Sequence, residues 1–159
     1  MRIFWISEFE KGDIGMMARP RGNEWLADEI KKLKHLKVDM LVSLLEWEEI
    51  KELAIEGEKE LCMSHQIEFI SFPIPDRGVP KNTADFVQLV SELLDKLRDE
   101  KRIVVHCRMG IGRTALLCAA ILLKNGFRQS DVFDLLSRKR TLNVPDTDEQ
   151  AKWVHGLFA

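Results

Sequence analysis

Between residues 102 and 125 the chain passes from a short apolar strand, through a tight turn holding two glycines, into a helix apolar on nearly every side (ALLCAAILL). A helix without a polar face must be surrounded by protein, so it belongs at the centre of the fold rather than on its surface. The strand feeding it needs sheet neighbours, and the rest of the chain supplies candidates. Residues 38–45 are nearly all apolar, as expected of a strand buried on both faces. Residues 2–6 and 67–74 read as further strands. Helical spacing appears at residues 23–36, where Trp25, Leu26, Ile30 and Leu33 recur. A short polar helix is expected over 46–54. Another begins after Asn82, whose side chain can cap it, with Phe86, Val90, Leu93 and Leu97 on one stripe. Gly126 is placed to end the central helix in a left-handed turn, with Phe127 as the accompanying apolar contact. Residues 130–138 and 147–157 close the chain as helices. Alternating strands and helices predict an α/β fold, with a central, mainly parallel sheet flanked by helices.

Nothing divides this pattern. There is no repeat, low-complexity tract or Pro/Gly-rich linker, and 159 residues suit a single domain spanning 1–159. A net charge of −2 gives no general attraction to nucleic acid or to an anionic membrane. The longest apolar run, residues 115–123, is too short to cross a bilayer, so no membrane insertion is expected. The start of the chain lacks a secretory pattern. Three cysteines without metal-ligand spacing imply free thiols in a reducing compartment, hence a cytoplasmic protein. Oligomeric state leaves no trace in the sequence.

The turn itself carries the chemistry. It reads His106-Cys107-Arg108-Met109-Gly110-Ile111-Gly112-Arg113-Thr114. A loop between a strand end and a helix N-terminus points several backbone N–H groups at one spot, and the helix dipole adds positive potential there. Gly110 and Gly112 let the backbone curl around a ligand. A cysteine at the start of such a cradle is favoured as the thiolate, the nucleophilic form. Arg113 opens the helix, where its planar fork can hold two phosphate oxygens. Thr114 brings a hydroxyl beside the sulfur.

These residues match the Cys-x5-Arg-Ser/Thr signature, within His-Cys-x-x-Gly-x-Gly-Arg-Thr, so the chain resembles the protein tyrosine phosphatase superfamily. The cysteine follows about a hundred residues of chain, and the whole is shorter than the tyrosine-specific domains, which points to the small, atypical dual-specificity branch. Ala18-Arg19-Pro20-Arg21, the VSLLEWEE segment (42–49), the PIPD loop and Val144-Pro145 through Gln150 add to the likeness. Ala115 departs from it, because relatives usually continue with glycine after the Thr.

The resemblance implies a phosphatase fold and phosphomonoester hydrolysis through a phosphocysteine, with no metal and no cofactor. It implies Cys107 as nucleophile, Arg113 as phosphate clamp, and residues 108–112 with Arg113 as the substrate-binding loop. Asp76, in the proline-stiffened PIPDRGVP segment, would be the general acid. Asp85 is the rival carboxylate, but its position suits a helix start. His106 would organise the loop. Gln150 would orient the attacking water, although Thr147-Asp148-Glu149-Gln150 also reads as a capping box. Arg19 and Arg21 are either cleft residues or solvated ones, and the basic run 138–140 is explained by a helix C-terminus. Cys118 reads as core. Cys62 reads as core or as a disulfide partner for an oxidised Cys107. The expected partner is a phosphoprotein or phosphopeptide carrying phosphotyrosine or phosphoserine/threonine. A phosphoinositide or other small phosphate ester is the alternative substrate, and a non-catalytic phosphate-binding module is the alternative class.

Overall fold

The computed structural model describes residues 1–158. Five strands form one sheet: β1 (Phe4–Ile6), β2 (Asp13–Met17), β3 (Met40–Ser43), β4 (Glu68–Ser71) and β5 (Arg102–His106), in the order β1-β2-β5-β3-β4. β1 pairs antiparallel with β2, and every other pairing is parallel. β5 is central. Its last residue, His106, lies opposite Met17 of β2 and Ser43 of β3. The carboxyl ends of the parallel strands therefore meet along one edge, where ligands of open α/β sheets bind.

Among the described residues there are also seven α-helices: α1 (Leu26–His35), α2 (Trp47–Glu52), α3 (Glu58–Ser64), α4 (Thr83–Arg98), α5 (Arg113–Lys124), α6 (Val132–Arg140) and α7 (Asp148–Leu157). Side chains alternate across a strand, so β5 feeds two cores. Ile103, Val105 and Cys107 pack with α4, α5, α6 and α7, whereas Val104 packs with Leu26, Ile30 and Leu33 of α1 and Cys62 of α3. In α5, Arg113 through Leu123 are all buried, as its lack of a polar face predicts. Each buried leucine there contributes about 1.5–3 kcal/mol relative to exposure.

Local signals acted as read at several ends. Asn82 Oδ1 accepts from the Asp85 N–H at 2.9 Å, so Asp85 is the N3 residue of α4. Gly126 is left-handed (φ 94°), and the Phe127 N–H returns to the Leu122 carbonyl at 3.0 Å. Other expectations need correction. Residues 23–25 form a 3-10 turn before α1, and Trp25 is exposed with the Arg21 guanidinium over its ring rather than on a buried stripe. The strand expected at 2–6 is one arm of a hairpin whose other arm is β2. The polar helix expected over 46–54 ends at Glu52, and α3 follows as a separate helix. Among the described residues, no helix is long and apolar enough to cross a membrane.

Candidate active site

Three strand ends deliver the site. The segment after β5 carries Cys107, the helix after β3 carries Glu49, the loop after β4 carries Asp76, and α5 begins with Arg113. Cys107, Asp76 and Arg113 border a cleft of about 270 Å³, lined also by Arg77, Met109 and Gln150 among others.

Cys107 lies at its floor, 3% exposed, and the Thr114 hydroxyl donates to Sγ at 3.1 Å. The start of α5 lies beside it. The loop backbone between them is tightly constrained. Gly110 has φ 70°, and a Cβ there would lie 2.5 Å from the Met17 carbonyl carbon and oxygen. A Cβ on Gly112 would lie 2.8 Å from Asp146 Cβ and 2.9 Å from Gln150 Oε1. The carbonyls of the loop are taken up outside the cleft. Arg19 N–H donates to the Arg108 carbonyl at 3.2 Å, and Arg140 donates to the Gly110 and Met109 carbonyls at 3.0 and 2.9 Å. Acceptors that would repel an anion are thereby kept away from it.

Arg113 is buried and fully oriented. Nη1 donates to Glu49 Oε2 at 2.7 Å and to the Ile74 carbonyl at 3.0 Å; Nη2 donates to Glu49 Oε1 at 2.9 Å and to Asp76 Oδ1 at 3.1 Å. Burial pulls the guanidinium's pKa down, but Glu49, Cys107 and Asp76 outweigh it and raise it above the ordinary value. Burial likewise pushes Glu49 up, yet hydrogen bonds from Arg113 and the Glu46 N–H bring it below the usual carboxylate value. The pair is a fixed bidentate brace.

Of the residues expected from sequence, the structure brings Cys107, Arg113, Thr114, Asp76 and the loop 108–112 together. Asp76 reaches the cleft with its side chain 58% exposed, whereas Asp85 is occupied at the start of α4. Arg108 borders the cleft, but its guanidinium turns to Glu49 and Glu52, at 3.5 and 3.2 Å. Gln150 also borders the cleft. Its Oε1 accepts from the Asp146 and Thr147 N–H groups and its Nε2 donates to the Gly78 carbonyl, so the capping box is present. Arg21 is paired with Glu29 at 2.7 Å, away from the cleft. His106 is wholly buried, with Nδ1 3.3 Å from the Cys107 carbonyl oxygen.

Cys62 corrects the disulfide expectation. It packs in the cluster on the other face of the sheet from Cys107, and burial together with Glu58 pushes its pKa up to about 12. Cys118 is buried in α5 and its thiol is pushed up by burial, then by Cys107. Glu49 and Glu58 had no role assigned from the sequence, and Arg140 only that of a charge at a helix C-terminus, whereas it holds the loop carbonyls. Their partners lie 64, 48 and 30 residues away in the chain, for Arg113, His106 and Gly110 respectively. No local spacing signals such contacts.

A reactive-type cysteine and a helix-opening arginine, held at the carboxyl edge of a mainly parallel sheet, define the cysteine-phosphatase class. The comparisons carry this further. Residues 14–127 match the family described as "Polymorphic toxin system, DSP-PTPase phosphatase". The chain belongs to this dual-specificity and tyrosine phosphatase family. It is 30% identical over 125 residues to protein 197R of Invertebrate iridescent virus 6, which bears a tyrosine phosphatase designation; the match covers 72% of this chain and 43% of that protein. The chain thus spans less than half the length of the curated relatives it matches first. Among solved structures, kinase associated phosphatase with its catalytic cysteine replaced by serine superposes with a TM-score of 0.87 at 20% identity, covering 98% of this chain and 92% of that one. PTPMT1 in complex with PI(5)P gives 0.75 at 16% identity, covering 98% and 94%. At these identities the likeness is one of fold.

Proposed function

We propose that this chain, as one domain spanning residues 1–159, hydrolyses phosphomonoesters on phosphotyrosine and/or phosphoserine/threonine residues of proteins, through a phosphocysteine intermediate. The observation that carries this reading is Cys107 Sγ at the foot of α5, hydrogen-bonded by Thr114 at 3.1 Å and flanked by the braced Arg113. The thiolate attacks phosphorus, the bond to the leaving oxygen breaks, and Asp76 gives that oxygen its proton. Water then attacks the phosphocysteine, Asp76 takes its proton, and the thiolate departs. Arg113 and the loop N–H groups stabilise the equatorial oxygens as charge redistributes. With phosphate bound, Arg113 exchanges Asp76 for phosphate oxygens, which frees the carboxyl to face the leaving oxygen. Gln150 holds the attacking water by an amide hydrogen that the Gly78 bond leaves free. No metal or cofactor takes part.

The choice of protein substrates rests on the mouth of the cleft. Arg77 is paired with Asp146 at 2.9 Å and Arg108 with Glu49 and Glu52, while Met109, exposed, and Ile111 present apolar surface. Cations already neutralised by carboxylates suit a singly phosphorylated side chain better than a polyphosphorylated headgroup. PTPMT1, which was crystallised with PI(5)P, makes the phosphoinositide the second reading. A phosphopeptide panel run beside phosphoinositide vesicles and soluble phosphate esters decides between them. Faster turnover of the peptides, undiminished by a chelator, is the expected result; preferential turnover of the lipids overturns the choice of substrate. Failure to turn over even a simple aryl phosphate would leave the non-catalytic binding module.

A further inference from the structure

Successive residues turn to opposite faces along β5 and into the residue after it, so His106 and Cys107 look into different cores. Cys107 faces α5, where the charged or titratable groups are Arg113 and Cys118, and feels Arg140 of α6. His106 faces α3. Its Nε2 lies 2.6 Å from Glu58 Oε2 and 3.1 Å from Oε1, and Glu58 is 3% exposed. The other titratable group on that helix face is Cys62, one turn on from Glu58. The residues flanking His106 in register, Met17 and Ser43, carry no charge.

The two ring nitrogens thus meet two acceptors. A backbone carbonyl cannot donate, so Nδ1 must carry the hydrogen that points to the Cys107 carbonyl. Glu58 has no lysine or arginine partner among the described residues, and a buried carboxylate is costly without a cation. A second hydrogen, on Nε2, would make the ring that cation. We infer that Glu58 is a positioning residue for the Cys107 thiolate, acting through His106: it fixes the ring with Nδ1–H on the nucleophile's own carbonyl and holds a positive ring one residue before the nucleophile, across the strand from the sulfur. Glu58 touches no substrate. The inference rests on Cys107 being the nucleophile, but it concerns what prepares that thiol, not what the thiol attacks.

Glu58→Gln separates charge from geometry, because the amide can donate to Nε2 and leave Nδ1–H in place. Alkylation of Cys107 by iodoacetamide, followed against pH and mapped by mass spectrometry to distinguish it from Cys62 and Cys118, reads the thiolate directly. In Glu58→Gln the midpoint should rise by about one pH unit, so that alkylation below it is roughly tenfold slower. The acid limb of kcat/KM should move with it, with KM nearly unchanged. Glu58→Asp should recover part of the shift. A lowered melting temperature with an unmoved alkylation midpoint would make Glu58 merely structural and overturn the inference. Should the variants fail to fold, ¹⁵N spectra of the wild-type imidazole serve instead: both His106 nitrogens should keep their hydrogens while Cys107 titrates, and a ring that loses one first overturns the proposal. If no phosphate ester were turned over by the wild type, the proposed function would fall while the alkylation profile would still test Glu58.

Discussion

Arg113 shows most clearly what single residues contribute. Its identity and its distance from Cys107 were legible, and its proposed role as phosphate clamp requires that fixed step from the cradle. Its support was not legible, since Glu49 reaches it across 64 residues of sequence. Replacing Arg113 by Lys should damage both binding and turnover, because an ammonium reproduces neither the phosphate fork nor the Glu49 brace. A near-normal kcat/KM would remove Arg113 from the role of clamp. Asp76 belongs to the same constellation, at 3.1 Å from Nη2, whereas Asp85 is bound up in a helix cap. Activity should therefore be bell-shaped in pH, rising as Cys107 ionises and falling as the acid does. Asp76→Asn should erase the basic limb and slow phosphopeptide hydrolysis by about 10²–10⁴. Asp85→Asn should leave the profile alone; the reverse result would move the acid to Asp85.

Elements were legible where the pattern was long or punctuated. The stripe of α4, its Asn82 cap and the apolar length of α5 all stood out. β2 and α3 escaped notice for physical reasons. DIGMM is short and carries glycine and aspartate, which are poor strand formers. EKELCMS is too short and too charged for a recognisable stripe. Their tertiary contacts form them, and both matter to the site: the end of β2 backs the phosphate loop, and α3 carries Glu58. The loop is an element in its own right. At Gly110 the left-handed backbone and the Met17 carbonyl, 2.5 Å from a built Cβ, leave alanine no accommodation. Gly110→Ala should displace the cradle, costing about 1–3 kcal/mol of stability and most of kcat/KM. Urea denaturation and steady-state kinetics check both; an unaltered kcat/KM would show that the loop tolerates the shift.

Across the whole molecule, the sheet holds two cores apart while its carboxyl edge gathers Glu49, Asp76 and Cys107 from three connections. The Glu49–Arg113 brace ties α2 to α5, so it serves stability as well as the site. Glu49's carboxyl titrates below its ordinary 4.5 in the folded chain. The stability it contributes is therefore present above that value and is lost as pH falls through the lowered one. Thermal unfolding between pH 7 and pH 3 should show the wild type losing more stability than Glu49→Gln. Parallel losses would mean that the brace carries no pH-dependent stability.

The central claim is that Cys107 bonds to phosphorus during turnover. Acid-quenching the enzyme while it hydrolyses a ³²P-labelled phosphopeptide, and mapping the label by proteolysis, tests that bond itself. The account predicts label on the peptide containing Cys107, none in Cys107→Ser, and label that accumulates further in Asp76→Asn with an activated aryl phosphate. Turnover without any labelled enzyme, or with the label on another residue, would contradict it.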